Sequence, residues 1–478
     1  MCELKEKCFC AAVAGGGGAA PRALRSPCKP RRWNLALTRL TPGTTLLLAG
    51  AAAFRGRSLP ARLRGSARHV MAETSGTLNE FLADAHKRLQ DKRLQEVGTV
   101  RLVIGNEASD PDSCVSAIAV AHELAHAWPA AAWPDTVAAP VLAIPRADFK
   151  LQLDRVHLLR RAGLAGTGDG VNWSPAHVTF IDELDWAALA KSGRLELFLV
   201  DHNKLPAALA AYGAHVREIV DHHQDEGEYE WVEPGVGGAA GPAARRNVEF
   251  GIGSCASLVA ERLEAKAPAL AREPAVAALL LGAVVLDTAN LQPKAKAQKA
   301  REAAVAQRLL AAAAPLLGVS ADASGRTAFF DELLEVKADA TTLLQFATAD
   351  LLRQDFKSET LPGSGVAVGV ASVVVGVDPL LARADLLADM RAFAAARGLK
   401  LLLLMSCDFR NRRRQLLVHA EPPLLDAVVA HLRDALELTP MTGGGGDDPA
   451  LKAYEQGAYA ISRKALMPIL RKLEASAL

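Results

Sequence analysis

The sequence is poor in aromatic and cysteine residues, and it contains no hydrophobic run long enough to cross a membrane. Aromatic residues make up 5% of its 478 positions and Cys occurs 7 times, which excludes a small domain held together by disulfides. The apolar stretch at 44–54 is shorter than the ~20 residues of a transmembrane helix. Because half of the residues are hydrophobic and the net charge is only +2, the chain is not intrinsically disordered. Its length predicts about two to three folded domains.

Acidic residues are absent from Lys7 to Ala72. Residues 1–72 carry 13 Lys+Arg and 2 Asp+Glu, a net charge of +11, so the rest of the chain carries −9. An Arg-rich, acid-poor leader is typical of organelle transit peptides, and we expect it to direct the protein to the mitochondrion or plastid. A protein that starts at Met71 would be cytoplasmic. A secretory route through the 44–54 stretch and a disordered tail are the alternatives, whereas a nucleic-acid-binding arm is disfavoured because no aromatic residues interleave the basic ones.

The rest of the chain alternates apolar runs of strand length with Ala- and Leu-rich helical segments. This alternation predicts an α/β fold, in which a parallel sheet is covered by helices, arranged as two domains with a cleft between them. The expected strands lie at 100–104, 141–144, 195–200, about 216–220, 366–377, 401–406 and 415–419. The expected helices lie at 77–96, 114–127, 298–315, 379–397 and 423–438, the third of them as a connection between the domains.

Four apolar runs, each interpreted as a strand, end in a polar cluster that contains Asp. The clusters hold Asn106, Asp110 and Asp112, then Asp201, then Asp221, His222 and His223, and finally Asp287. Because the carboxyl ends of parallel strands lie along one edge of a sheet, we expect these side chains to converge. A single Asp after a strand is more often a helix N-cap, but four such endings favour a shared site. Carboxylates this close repel one another, and a pair of divalent cations, the usual apparatus of phosphoryl hydrolysis, would relieve that repulsion.

The motifs at these positions resemble those of the DHH phosphoesterase superfamily, in particular its exopolyphosphatase and prune-type branch. They are GNEASDPDS, LVDHN, IVDHHQDEG with GSCASLV downstream, and LDTANL. The resemblance covers about residues 75–475. It implies a parallel-sheet DHH catalytic domain at 75–310, a smaller α/β DHHA2 accessory domain at 326–475, and an active site in the cleft between them. It also implies two divalent cations, Mn²⁺ or Mg²⁺ with Co²⁺ as a further option.

The resemblance assigns a role to each residue of the acidic clusters. Asp110 would hold the first metal, Asp112 the second, and Asp201 would bridge both as a catalytic residue. His222 and Asp287 would complete the second site, and the catalytic His223 would donate a hydrogen bond to the scissile phosphate. These implied metal ligands are Asp110, Asp112, Asp201, His222 and Asp287.

Substrate-binding residues are also implied by the resemblance. Asn106 stands where the related family II pyrophosphatases carry a His ligand, and it favours the polyphosphatase branch. Lys357, Arg463 and Lys464, in the segments 336–358 and 459–470, would reach across the cleft to phosphate groups. Arg463 and Lys464 would also be catalytic, because they would stabilise charge on the phosphate oxygens during transfer. Basic side chains suit that side of the cleft because the substrate is a polyanion, and an Arg guanidinium can donate two hydrogen bonds to one phosphate.

Several other polar patterns allow more than one interpretation. The basic cluster at 409–415 binds the distal part of a polyanion or is simply solvated. The N–H groups of Gly253, Ser254 and Cys255, at a predicted helix start, could take a phosphate or a carboxylate, or belong to a plain capped helix. Two further pairs complete the set: Arg245 and Arg246 are candidate phosphate contacts, and Lys296 and Lys299 stand where the family usually shows Thr and Asp.

Residues 122–126, His-Glu-Leu-Ala-His, match the zinc metalloprotease signature. They lie roughly 15 Å or more along the predicted helix from Asp112, at about 1.5 Å per residue, and no third ligand is recognisable downstream. We therefore interpret the match as chance on a half-exposed helix.

The sequence thus predicts a metal-dependent exopolyphosphatase that releases terminal phosphate from linear polyphosphate. An inorganic pyrophosphatase, a prune-like cyclic-nucleotide phosphodiesterase and, outside catalysis, a phosphate-binding protein are the alternatives. No nucleic-acid partner and no stable membrane insertion are expected, and the sequence leaves the oligomeric state open.

Overall fold

The computed structural model describes residues 78–91, 98–127, 134–233, 245–292, 299–408, 411–441 and 448–473. These residues form an α/β protein with two six-stranded sheets, one in each half of the chain. The expected two-sheet α/β architecture is therefore confirmed. The predicted leader at 1–72 lies outside the described residues, as do Lys296 and the first two residues of the 409–415 cluster.

The first sheet is parallel throughout, with the strand order β5-β2-β1-β6-β7-β8. Its strands are rich in Val, Leu and Ile because helices cover both faces. A separate two-residue ladder pairs β3 with β4. The strands are β1 Thr99–Ile104, β2 Thr136–Leu142, β3 Gly166–Thr167, β4 Ser174–Pro175, β5 Thr179–Phe180, β6 Leu195–Val200, β7 Val216–Asp221 and β8 Arg246–Val248.

Nine α-helices accompany this sheet in the described part of the chain. They are α1 at 78–89, α2 Pro111–Ala127, α3 Arg146–Phe149, α4 Leu153–Arg161, α5 Trp186–Lys191, α6 Cys255–Lys266, α7 Pro274–Asp287, α8 Lys299–Leu317 and α9 Ala323–Lys337. Short 3-10 helices lie at Gly170–Asn172, Ile181–Glu183, Ala207–His215 and Leu270–Arg272. Helices α2, α4 and α6 to α9 pack on one face, α5 packs on the other, and α1 contributes to both cores.

Three expectations about this half are wrong. The run at 275–286, interpreted as a strand ending at Asp287, is helix α7. An unbroken apolar run does not distinguish a strand from a buried helix, and nearly every residue of α7 is buried. The strand expected at 141–144 is Thr136–Leu142. Helix α8 is not a connection between domains, because its buried side packs into the core of the first sheet.

The second sheet is mixed, with the order β13-β14-β12-β11-β10-β9. Only β10 and β11 are parallel, and the other neighbours are antiparallel. Its strands are β9 Phe356–Thr360, β10 Ala367–Val373, β11 Leu401–Asp408, β12 Arg413–Ala420, β13 Leu438–Pro440 and β14 Leu451–Gln456. Its helices are α10 Ala340–Leu343, α11 Thr348–Gln354, α12 Asp378–Leu381, α13 Leu386–Ala396, α14 Leu424–Leu436 and α15 Arg463–Leu470.

The helix expected at 379–397 is broken into α12 and α13. Arg383 lies in the break and donates hydrogen bonds to the carbonyl oxygens of Leu344 and Phe346. These hydrogen bonds hold the break against the loop after α10. A continuous helix would direct the Arg383 guanidinium away from that loop, so the chain turns at this position.

The two halves of the chain meet through the segment that joins α3 to α4. Leu151 and Leu153 are buried in the core of the second sheet. Gln152 Nε2 donates to Gln354 O at 3.1 Å, and Gln354 Nε2 donates to Leu151 O at 3.0 Å. Gln354 lies just before β9, and Lys357 of β9 contacts Glu107 in the loop after β1 of the first sheet. Within the described part of the chain, no helix combines the length and hydropathy needed to span a bilayer.

Candidate metal centre

Three neighbouring strands of the first sheet end side by side at one edge. Strand β6 lies between β1 and β7, and all three run in the same direction. Helix α2 begins close to the end of β1 because residue 105 is glycine: a Cβ there would lie 2.5 Å from Ser113 Cβ. The polar clusters that follow the three strands are therefore assembled on one small surface.

Asp201 lies at the centre of this surface. Its side chain is 2% exposed, and its backbone has a φ of +62°, a left-handed conformation that is uncommon outside glycine. The backbone N–H donates to Val220 O at 2.9 Å, which fixes the turn after β6. Burial, followed by the nearby charge of Asp112, raises the pKa of Asp201 to about 8. Strain and an unfavourable charge at one buried residue are features of functional sites.

The two carboxylate oxygens of Asp201 have different surroundings. Oδ2 accepts hydrogen bonds from Ser113 Oγ at 2.7 Å and from Asn106 Nδ2 at 2.9 Å. Oδ1 is buried and lies 3.2 Å from His222 Nε2, close enough for an ion pair with the protonated imidazole. One oxygen is thus held by two neutral donors, while the other faces the imidazole.

Asn106 acts here as a hydrogen-bond donor. Its Oδ1 accepts from the N–H groups of Ala108 and Ser109. Its Nδ2 faces the carboxylates of Asp201 and Asp110, at 2.9 and 3.4 Å respectively. Because the amide oxygen is engaged by the backbone, this orientation places a neutral donor between the carboxylates.

Asp110 and Asp112 belong to the start of α2 but have different partners. Asp110 Oδ1 accepts from Ser113 N at 3.0 Å, an N-cap interaction. Asp112 is 1% exposed, and its two oxygens accept from Cys255 N at 2.6 Å and Ala256 N at 2.7 Å. The start of α6, for which the sequence left a phosphate, a carboxylate or a plain cap open, therefore binds a carboxylate.

His222 is oriented by a backbone carbonyl. Its Nδ1 lies 2.8 Å from Ile252 O, which turns Nε2 toward Asp201 Oδ1. The loop that carries this carbonyl is in turn held by Glu302, whose Oε1 accepts from Gly253 N at 2.5 Å. Sequence reasoning missed Glu302, which lies 49 positions from Gly253 and belongs to no motif.

The protonation of His222 is governed by the same carboxylates. Burial alone would lower its pKa, but the interactions with Asp201 and Asp112 raise it to about 10. A bound cation would take the place of that proton, since both neutralise the neighbouring negative charge.

His223 is positioned by Asp221 and remains open to solvent. Its Nδ1 lies 2.8 Å from Asp221 Oδ1, and its side chain is 56% exposed. Asp221 is fully buried, and its other oxygen accepts from Asn203 Nδ2 at 2.5 Å. Burial alone would raise the pKa of Asp221, but the bonds from His223 and Asn203 hold it below its ordinary value. The orienting roles of Asp221 and Asn203 were also missed, although both residues stand inside the motifs.

The residues present fit a divalent cation. In the described part of the chain, one group of three side chains brings its ligand atoms within 4.8 Å of one another: Asp201, His222 and His223. Asp112 Oδ2 lies 3.9 Å from His222 Nε2. Carboxylate oxygens and an imidazole nitrogen are ligands that Mn²⁺, Mg²⁺ and Zn²⁺ accept.

Asp287 reaches the same region from the last residue of α7. Its side chain opens to solvent on one side, while the surrounding protein and the charges of Asp112 and Asp110 raise its pKa. The expected proximity of this residue to the other carboxylates is therefore present, although a helix end and not a strand end supplies it.

Of the three predicted cations of the second half, Lys357 contacts the first half of the chain. Lys357 Nζ lies 2.7 Å from Glu107 Oε1. Arg463 Nη1 lies 2.7 Å from Asp355 Oδ1, and Lys464 is exposed at the start of α15. Lys357 and Arg463 thus contact other residues, and neither is bonded to the cluster around Asp201.

The remaining basic candidates are largely ion-paired. Arg246 pairs with Asp225, and Arg413 of the 409–415 cluster pairs with Asp378 and Glu455. Lys299 begins α8 and is half-buried. Of the two neighbours Arg245 and Arg246, Arg245 is the exposed one.

Helix α2 is buried along almost its whole length and is not half-exposed as expected. Within the metalloprotease-like segment, His122, Glu123 and Leu124 are buried and His126 is exposed. Glu123, which a protease would use as a general base, is buried and forms an ion pair with Arg262. His122 stacks on Phe81 with 4.7 Å between ring centroids. A zinc protease site at this position is therefore excluded by the engagement of Glu123.

Comparison with known proteins agrees with the motifs. The DHHA2 domain family matches residues 331–473. The protein named exopolyphosphatase PRUNE1 from Bos taurus is 32% identical over 387 residues, covering 79% of this chain and 76% of its own. Exopolyphosphatase PRUNE1 from Homo sapiens is 32% identical over 384 residues, with the same coverage of the two chains.

Among solved structures, a Methanococcus jannaschii protein assigned as a family II inorganic pyrophosphatase aligns with a TM-score of 0.44 and 19% identity, over 78% of this chain and 99% of its own. A similarity of this size adds nothing to the argument. The identity to the two mammalian proteins, extending over more than three quarters of each chain, is decisive: the chain belongs to the prune-type exopolyphosphatase family of the DHH phosphoesterases and carries a DHHA2 domain.

Proposed function

We propose that this protein is a metal-dependent hydrolase that releases terminal orthophosphate from linear inorganic polyphosphate. The observation that carries the proposal is the group of carboxylates around the buried Asp201, whose Oδ1 faces His222 Nε2 at 3.2 Å. Carboxylates crowded together in a buried site repel one another, and bound cations relieve that repulsion. The names of the relatives support a phosphoanhydride as the substrate class.

The cluster would hold two divalent cations, Mn²⁺ or Mg²⁺ with Co²⁺ as a further option. The proposed ligands are Asp110, Asp112, Asp201, His222 and Asp287. When bound, such cations supply a nucleophilic water of lowered pKa and neutralise charge on the phosphate. Ser113 and Asn106 hold the Asp201 carboxylate in one orientation, so the ligand does not have to be ordered during binding.

His223 is placed to act on the phosphate itself. The contact between Nδ1 and Asp221 raises the pKa of His223 and leaves Nε2 directed away from that carboxylate. A protonated, half-exposed imidazole can donate a hydrogen bond to a non-bridging phosphate oxygen, where charge accumulates during transfer. The leaving group is itself a phosphate, so we assign no strong general acid.

The accessory domain would bind the chain of the substrate. Lys357, Arg463 and Lys464 are the cations that would bind a polyanion extending from the metals. Lys357 is paired with Glu107, so substrate phosphate would exchange with that carboxylate. Because the chain outside residues 1–72 carries a net charge of −9, attraction of the substrate depends on these local cations and on the metals.

The substrate is tested by measuring phosphate release from long-chain polyphosphate, short-chain polyphosphate and pyrophosphate, and hydrolysis of cyclic AMP, with Mn²⁺ or Mg²⁺. We expect polyphosphate to give the highest kcat/KM. Pyrophosphate or cyclic AMP as the preferred substrate would contradict the proposal. Binding of polyphosphate without turnover would identify a phosphate-binding protein instead.

A further inference from the structure

A second group of metal-ligating side chains lines an open cavity of about 300 Å³ between α1 and α2. Two carboxylates four residues apart on α1 and two imidazoles four residues apart on α2 face this cavity: Glu80, Asp84, His122 and His126. Side chains at positions i and i+4 lie on the same face of a helix. The two helices therefore present complementary pairs of ligands to one space, about 15 Å or more along α2 from Asp112.

His122 is already prepared as a ligand. It is 5% exposed, and its Nδ1 has no hydrogen-bond partner. That atom lies 3.7 Å from Glu273 Oε2, which is itself buried and without a partner. A histidine that binds a metal through one nitrogen commonly directs the other toward a carboxylate. Phe81 stacks against the ring at 4.7 Å and fixes its plane.

The ionisation of the imidazole suits the same role. Burial, with a smaller effect of His126, lowers the pKa of His122 to about 4. The ring is therefore neutral at physiological pH, which is the form that coordinates a metal.

We propose that this cavity is a Zn²⁺ site that ties α1 to α2, with four ligands: Glu80, Asp84, His122 and His126. Zinc accepts imidazole and carboxylate ligands in a tetrahedral arrangement. Glu80, Asp84 and His126 are exposed, and the proposed site requires their side chains to rotate toward the buried His122. Among the described residues, the group around Asp201 is the one already drawn together within 4.8 Å, and the new site closes only when zinc is present.

Two contacts show which interaction zinc binding would break and which role the zinc would have. Asp84 gives up an ion pair with Arg88 at 3.8 Å, and such exposed pairs contribute little. Glu123, between the two histidines, stays with Arg262, so no general base stands beside the metal. The site is therefore structural, and it would hold α1 against α2. The start of α1 is already bonded to the first domain, because the N–H of Leu78 donates to Glu273 Oε1 at 2.9 Å.

The test uses the full chain with its catalytic centre saturated with Mn²⁺. Zinc bound per chain is measured after dialysis, and Tm is measured with and without added Zn²⁺, for the wild type, His126→Ala and Glu80→Gln. Both substitutions are at exposed positions, so folding is retained. Glu335→Gln, an exposed carboxylate on α9 outside the cavity, is the matched control.

We expect the wild type and Glu335→Gln to bind one zinc equivalent more than His126→Ala, and their Tm to rise on zinc addition. Glu80→Gln should show a weaker rise, and phosphate release should be the same in all four proteins. Equal zinc content and an equal Tm response in the wild type and His126→Ala would overturn the proposal, as would a wild-type Tm that does not respond to zinc.

Discussion

Lys357 and Glu107 form an ion pair of 2.7 Å that joins β9 of the second sheet to the loop after β1 of the first. Glu107 directly follows Asn106, which donates to the central Asp201. The accessory domain therefore contacts the loop that carries Asn106.

Glu107→Gln should lower KM for polyphosphate by about two- to five-fold, because it frees Lys357 from a partner that competes with phosphate; exposed pairs of this kind contribute up to about 1 kcal/mol. Lys357→Ala should raise KM. Steady-state kinetics at low and high salt measures both effects, which should shrink as salt screens the charges. Asp426→Asn breaks the exposed pair with Lys452 on the second domain and should leave KM unchanged.

Ser113→Ala should weaken Mn²⁺ binding or activity by about 10- to 100-fold, the usual effect of removing a group that orients a metal ligand. The hydroxyl is the 2.7 Å donor to Asp201 Oδ2. Ser116→Ala is the matched control on the same helix, since that buried hydroxyl has no hydrogen-bond partner. Equal Mn²⁺ affinities in the two variants, measured by titration calorimetry, would show that Asp201 does not depend on this bond.

The replacement of His222 by Ala and that of His223 by Ala should affect metal affinity and kcat differently. His222 Nε2 faces Asp201 and Asp112, so His222→Ala should chiefly weaken metal binding. His223→Ala should lower kcat by about 10²–10³, as expected for a lost donor to the transition state, while Mn²⁺ affinity changes little. If His223→Ala instead loses the metal and keeps kcat at saturating Mn²⁺, the imidazole is a ligand.

Glu273→Gln should change the pH dependence of stability in protein kept free of zinc by a chelator. Burial raises the pKa of Glu273 from 4.5 to about 7, so the folded protein keeps a proton that the unfolded chain loses. Stability then falls as pH rises from about 4.5 to about 7, and the penalty is complete above pH 7. Gln removes that penalty and should add about 1–2 kcal/mol to the free energy of unfolding at pH 8, after allowance for solvent screening.

At pH 4 the same substitution should change little, because the carboxyl of Glu273 is then largely protonated in both states. His122 contributes in the opposite direction, since its lowered pKa costs stability below pH 6.5, and this part should persist in the variant. Denaturant unfolding at the two pH values checks the prediction, and a gain independent of pH would contradict it.

Much of the central cluster could be predicted from sequence because it depends on strand ends. Asp201 and Asp221 follow short, strongly apolar runs, and parallel strands place their carboxyl ends at one edge. Asp287 follows a run that is apolar on every side. Such a run has no period that distinguishes a strand from a buried helix. The sequence therefore predicted that Asp287 lies near the other carboxylates, but not that it ends a helix.

The supporting residues could not be predicted, because they act across long separations in the chain. Glu302 and Arg262 hold parts of the first domain through contacts with residues 49 and 139 positions away. The proposed zinc ligands on α1 could not be predicted for a related reason. They precede the two histidines in the chain, and the packing of α1 on α2 brings Glu80 and Asp84 to the cavity.

The central claim is that Asp201 holds the metals that hydrolyse polyphosphate. The most direct measurement compares phosphate release from polyphosphate by the wild type, Asp201→Asn and the exposed control Asp169→Asn at saturating Mn²⁺, with Mn²⁺ affinity and Tm recorded for each. We predict that Asp201→Asn loses turnover and binds Mn²⁺ more weakly while it stays folded, and that Asp169→Asn matches the wild type. Near-normal turnover by a folded Asp201→Asn would contradict the account.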